Sequence, residues 1–187
     1  QVNMASASIT VTDQITKANA DTINAYTTGT VTLTSVADTV ANITAIDALT
    51  TSQVNMASAS ITVTDQITKA QVDAVNAFTT GTVTPTSLTE DRADIATLQG
   101  TTGISLATTN ITVTDQVTKA QADTINAYTT GTVTLTSVAD TVANITAIDA
   151  LTTSQVNMAS ASITVTDQIT KAQVDAVNAF TTGTVTP

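Results

Sequence analysis

The sequence predicts an α/β protein, a repetitive β–α solenoid with parallel strands on one side and helices on the other. Three observations carry that expectation. The stretch Ile-Thr-Val-Thr-Asp-Gln begins at Ile9, Ile61, Ile111 and Ile163, giving spacings of 52, 50 and 52 residues. Residues 9–85 and 111–187 match at an offset of 102 and differ only at Ile15/Val117 and Asn19/Gln121. Within each period, segments alternating with period two are separated by segments of helical periodicity, and crossovers of that kind are right-handed and leave the strands parallel. A fixed period implies stacked supersecondary units rather than one closed globule. The expected array is single over 1–187, with units at 9–60, 61–110, 111–162 and a partial 163–187; residues 1–8 close a preceding unit.

The elements follow in order. Residues 1–4 (Gln-Val-Asn-Met) read as a short strand with Val2 and Met4 on one face, and 5–8 as a corner of small residues. Ile9, Thr10, Val11 and Thr12 alternate apolar and polar and are β-branched, as in a half-buried strand. Residues 13–16 are expected to turn the chain into a helix. There Thr68/Gln71, Thr118/Gln121 and Thr170/Gln173 have capping-box spacing, with Asn19 replacing the glutamine in the first copy. Ala20, Ile23 and Tyr26, like Val72, Val75 and Phe78, form one apolar helical stripe. Gly29 is expected to end the helix in the left-handed C′ conformation.

Residues 30–34 form a second alternating strand, and Ser35 with Asp38 is expected to open a second helix buried through Val36, Val40, Ile43, Ile46 and Leu49. The second unit departs from this plan. Pro85 replaces Leu33, which predicts a strand that is shorter or locally unpaired. Residues 87–99 read as a shorter, more charged helix capped by Ser87 and Glu90 and closed by Gly100, and 101–110 replace the methionine-containing segment.

Hydrophobic residues make up 42% of the chain and aromatics only 2%, so the expected core is aliphatic. The net charge is −10, and the five basic residues (Lys17, Lys69, Arg92, Lys119, Lys171) lie far apart, which excludes the basic footprint of nucleic-acid binding. An acidic surface suits solubility and attracts divalent cations. The absence of cysteine excludes a disulfide framework. No signal peptide or membrane-spanning apolar run is legible, so membrane insertion is not expected. The sequence opens and closes inside a repeat, as an excerpt of a longer chain does.

The succession Ile-Thr-Val-Thr-Asp, Ile-Asn-Ala-Tyr-Thr-Thr-Gly, Thr-Val-Thr and Ala-Asp-Thr-Val-Ala-Asn-Ile resembles repeats of giant, acidic secreted or cell-surface proteins of bacteria, cyanobacteria especially. These are adhesin-like proteins of the haemolysin-type repeat group, and the likeness covers nearly the whole chain. It implies an extracellular structural, adhesive or matrix role. The Gly-Gly-x-Gly-x-Asp nonapeptide associated with calcium in that group is absent.

Site chemistry is sparse. There is no histidine, and nearly every aspartate recurs with the repeat, so no converging set for acid–base or nucleophilic catalysis is expected. The charged cluster Glu90, Asp91, Arg92 and Asp94 reads as a solvated helix face. Two constellations remain as candidates. The first is an outward threonine face: Thr10, Thr12, Thr30, Thr32, Thr34, Thr62, Thr64, Thr82, Thr84, Thr112, Thr114, Thr132, Thr134, Thr164 and Thr166. Stacked strands would set these in ladders about 4.8 Å apart, resembling the face of β-helical ice-binding proteins; threonine is equally a good β-former on a wet face.

The second is the set Asp13, Asp65, Asp115 and Asp167, expected in turns at strand ends as weak calcium ligands. The plainer reading is an aspartate favouring a helix dipole. Asn42, Asn110 and Asn144 also fit Asn-x-Thr sequons. The expected function is a structural extracellular repeat (surface filament, stalk or adhesin spacer), self-associating end to end or continuing in a longer chain. The alternatives are an ice-binding or a calcium-stiffened adhesive module.

Overall fold

The computed structural model describes residues 4–49, 53–151 and 155–187. Among them are ten strands and seven helices, an α/β architecture with parallel strand pairing. The short strand expected at residues 1–4 falls largely outside the described residues. The chain divides into two compact units, Gln1–Ser87 with Thr101–Ser105, and Leu88–Gly100 with Leu106–Pro187.

In the first unit, β1 (Ile9–Ile15), α1 (Lys17–Asn24), β2 (Val31–Asp38), α2 (Val40–Asp47), β3 (Val54–Asn55), β4 (Ser60–Ile67) and α3 (Lys69–Asn76) follow one another. β2 is the hub. On one side it pairs β1, with Ile9 opposite Val31 and Val11 opposite Leu33, before the register shifts to Gln14 opposite Ser35. On the other side its first half pairs β3 and its second half β4, with Val31 opposite Val54 and Val36 opposite Ile61. Residues 56–59 make the corner between β3 and β4. Val54 and Met56 are both buried there, so this copy of the Gln-Val-Asn-Met segment presents Val and Met to the core.

β5 (Val83–Glu90) is followed by α4 (Arg92–Gly100), then β6 (Asn110–Val117), α5 (Lys119–Asn126), β7 (Val133–Asp140), α6 (Val142–Asp149), β8 (Val156–Asn157), β9 (Ser162–Val165), α7 (Lys171–Asn178) and β10 (Val185–Thr186). In the second unit β7 repeats the role of β2. It pairs β6 from Ile111 opposite Val133 through a register shift after Val113, and β8 and β9 on its other side. The core is aliphatic: Leu33, Val36, Ile43, Ile46, Ile61 and Val63 in the first unit and Leu135, Val138, Ile145, Ile148, Ile163 and Leu106 in the second are 0–1% exposed. Leu106 takes the place that Met56 and Met158 hold in the other copies.

Several expectations need correction. Residues 13–15 do not turn; β1 runs on to Ile15, and β4 and β6 likewise extend to Ile67 and Val117, because those side chains are buried in the strand. Ser35 does not open a helix. Val36 lies buried between Ile15 and Ile61 on the two neighbouring strands, and that pairing keeps residues 35–38 extended. Helix α2 starts after Thr39, whose hydroxyl accepts the Asn42 N–H. In the same way β5 reaches Glu90, and Asp91 instead of Ser87 caps α4 by accepting the Asp94 N–H at 2.9 Å.

Pro85 does not shorten its strand. It is buried in the place of Leu33 and Leu135, within a β5 of eight residues. Leu33 itself sits opposite Val11, where the ladder already shifts register, and breaks of that kind are where strands accommodate proline. Gly29 is not left-handed. Among the described glycines only Gly103 has positive φ, +85°. Gly29 is instead required by close approach, since a Cβ there would collide with the carbonyl of Ala7, and Gly81, Gly131 and Gly183 stand in the same way against Ala59, Thr109 and Ala161.

The expected capping boxes are present at α3, α5 and α7, with Thr68, Thr118 and Thr170 paired to Gln71, Gln121 and Gln173. At α1, Thr16 accepts the Asn19 N–H alone.

Candidate functional site

An α-helix leaves its first four N–H groups without intrahelical partners. Here the capping threonine accepts the N–H three residues on, and where glutamine is present its Oε1 accepts the threonine N–H at 2.9 Å. The first helical N–H is satisfied from elsewhere. Asp38 Oδ2, at the end of β2, accepts the Lys17 N–H of α1 at 2.9 Å. Asp65 Oδ1 in β4 accepts the Val40 N–H of α2 at 3.0 Å. In the second unit Asp115 takes Arg92 of α4, Asp140 takes Lys119 of α5, and Asp167 takes Val142 of α6, at 2.9, 2.8 and 3.0 Å. In five described places, then, a carboxylate of one strand–helix step closes the N-terminus of the helix one step earlier.

The charge favours this geometry, because a helix N-terminus carries a partial positive charge and an ionised acceptor makes the stronger hydrogen bond. Asp38 does more than its fellows. Its Oδ1 also accepts the Thr39 N–H and the Asn42 Nδ2, both at 2.8 Å, so one carboxylate joins the starts of α1 and α2. Asp140 repeats this with Thr141 and Asn144. Burial acts to raise the Asp38 pKa. The Asn42 amide, the Lys17 and Thr39 N–H groups and the Lys17 charge outweigh it and hold the carboxyl below its ordinary value. Asp140 is lowered through the same set of partners.

The calcium candidates are therefore placed in β-strands or their continuation, and three of them already face a backbone donor. Asp65 and Asp115 lie within β4 and β6, Asp167 follows β9, and Asp13 lies exposed in β1. Among the described residues no three acidic, histidine or cysteine side chains group as a metal site. Asp115 also makes a 3.8 Å ion pair with Arg92. Sequence reading treated Asp38 and Asp140 only as partners in helix entry. The signal that would have singled them out is an aspartate closing the alternating segment in both halves of the period.

All fifteen candidate threonines are exposed or half-exposed. They do not form long rows. Thr10 lies opposite Thr32, but Thr32 next meets Asn55; Thr112 and Thr134 likewise run into Asn157. Thr62 and Thr164 lie opposite Ala37 and Ala139. Some hydroxyls serve the sheet itself: Thr34 and Thr136 donate to the carbonyls of Val11 and Val113 at 2.9 and 2.8 Å.

Of the sequon asparagines, Asn42 and Asn144 are the donors to Asp38 and Asp140, and Asn110 Oδ1 accepts the Thr132 N–H at 2.9 Å. No helix among the described residues is long and apolar enough to cross a membrane. No protein-family model, curated protein or solved structure matches the chain.

Proposed function

We propose that the chain is a structural, extracellular repeat, a surface filament, stalk or adhesin spacer built as a β–α solenoid. The observation that supports this best is the carboxylate joint repeated between successive strand–helix steps. Each joint has the same chemistry and no step carries a special one, as expected where the role is to spread length and tension over equivalent contacts. The acidic, cysteine-free composition fits an exposed extracellular surface.

End-to-end association belongs to the same proposal. Ile9 and Val11 of β1 are part-exposed, whereas their copies Ile61, Val63, Ile111 and Val113 are buried; Val174 of α7 and Val185 of β10 are part-exposed, whereas Val72 and Val83 are buried. Edges of this kind invite a further strand, from a second copy or from a continuing chain.

The threonine rows are two residues wide before asparagine or alanine interrupts them, which does not favour the ice-binding alternative. Calcium stiffening is no better supported, because Asp65, Asp115 and Asp167 are committed to helix N-termini. Electron microscopy of the purified chain tests the proposal. Rods or fibres with an axial repeat matching the units are expected, with or without millimolar calcium. Compact particles without axial periodicity would overturn it.

A further inference from the structure

The four aromatic side chains of the sequence, Tyr26, Phe78, Tyr128 and Phe180, occupy one position of the repeat, two residues beyond the end of a helix. Large aromatic rings ordinarily dominate cores. Here the buried core is aliphatic, and all four rings remain at least partly exposed. Two of them wall equivalent cups. Phe78 borders an open cup of about 400 Å³ with Thr30, Asp47, Gln53 and Asn55. Phe180 borders one of about 320 Å³ with Thr132, Asp149, Gln155 and Asn157. Each cup lies within one compact unit. Volumes of this order are those of small-molecule sites.

The amides at the cup walls are held by one end. Gln53 Nε2 donates to the Thr28 carbonyl at 3.1 Å, and Asn55 Oδ1 accepts the Ala57 N–H at 2.9 Å. Gln155 and Asn157 repeat both contacts, at 3.2 and 2.9 Å. That leaves a neutral acceptor, Gln53 Oε1, and a neutral donor, Asn55 Nδ2, at fixed places beside a flat apolar ring. No basic residue lines either cup, so an anion is disfavoured. The single carboxylate is far short of the six to eight oxygens that calcium takes.

A ligand that fits has one apolar face for the ring and an edge of hydroxyls that both donate and accept. We propose that the two cups each bind a neutral pyranose ring of a glycan, stacked on Phe78 in one and on Phe180 in the other. Two identical sites on one chain raise the strength of attachment to a polymeric sugar without new contacts. The proposal is independent of the mechanical role.

The test is titration of the whole chain with neutral methyl pyranosides, followed by side-chain amide NMR signals, together with binding to immobilised neutral glycans. Two equivalents per chain are expected, with shifts at the Asn55 and Asn157 amides. Phe78→Leu should leave one equivalent. Adding Phe180→Leu should weaken what remains about tenfold or more. Phe78→Tyr, which installs the ring found at Tyr26 and Tyr128, should preserve binding. Asn55→Ala with Asn157→Ala removes the donor independently, should the leucine variants fold poorly. The proposal is overturned by no saturable binding to any neutral sugar, by binding that survives loss of both rings, or by binding that requires sulfated or sialylated glycans or calcium.

Discussion

Asp140 Oδ2 accepts the backbone N–H of Lys119 at 2.8 Å, so the last residue of β7 closes the first turn of α5. Its other oxygen holds Thr141 and Asn144 at the start of α6. Asp140→Asn removes the charge and one acceptor oxygen while keeping the shape. The expected loss is about 1–2 kcal/mol, the usual worth of an N-terminal cap. Urea unfolding checks it through a lower midpoint with an unchanged slope.

The same carboxylates set the response to acid. Asp38 and Asp140 titrate lower when folded than when unfolded, so the stability they add is fully present above the unfolded value, about 3.9, and is lost as pH falls through the folded one. The melting temperature should hold from neutral pH to about 5 and fall in the acid range below about 4. Asp38→Asn with Asp140→Asn should flatten that fall. An unaltered acid limb in the double variant would remove these two groups as its source.

Two glycines should respond oppositely. Gly81→Ala drives a methyl group into the Ala59 carbonyl, which belongs to backbone and cannot swing away. A cost of about 1–3 kcal/mol is expected, as for other overpacked sites. Gly100→Ala, at the end of α4, meets nothing within 4 Å and should stabilise by up to about 1 kcal/mol. Thermal melts of the two variants against the parent chain separate them.

The first helix lacks the glutamine that completes the box in α3, α5 and α7. Asn19→Gln should restore the reciprocal bond to the Thr16 N–H. It should add about 0.5 kcal/mol, seen as slower amide exchange in the first turn of α1.

Calcium should matter little. Asp65, Asp115 and Asp167 already accept helix N–H groups, and no acidic cluster stands beside them among the described residues. Millimolar calcium, or a chelator, should leave the melting temperature unchanged. A rise of several degrees with calcium would point to oxygens gathered around these residues that the joints do not use.

The α/β class, the parallel strands and the aliphatic core were legible because a near-perfect period displays each apolar alternation several times. Element ends were less so. Ser35 and Asp38 have capping-box spacing, yet burial of Val36 between two strands outweighs it and moves the cap to Thr39. The role of Gly29 depends on how close Ala7 comes, which no local pattern encodes. The joints themselves link residues 21 to 25 positions apart through strand register, so the aspartates were visible but their partners were not. The aromatic position was read as helical stripe, and only the structure places Phe78 at a cup wall.

Because each joint reaches backwards along the chain, it also gives synthesis a direction. Helix α1 can form its own turns as it leaves the ribosome, but its first N–H waits for Asp38, 21 residues later, and α2 waits 25 residues for Asp65. Each helix start is thus sealed only by the arrival of the next strand, so the nascent chain carries one open turn near its growing end and locks behind it, step after step. The short sequence distance of every closure keeps the search local and the waiting brief.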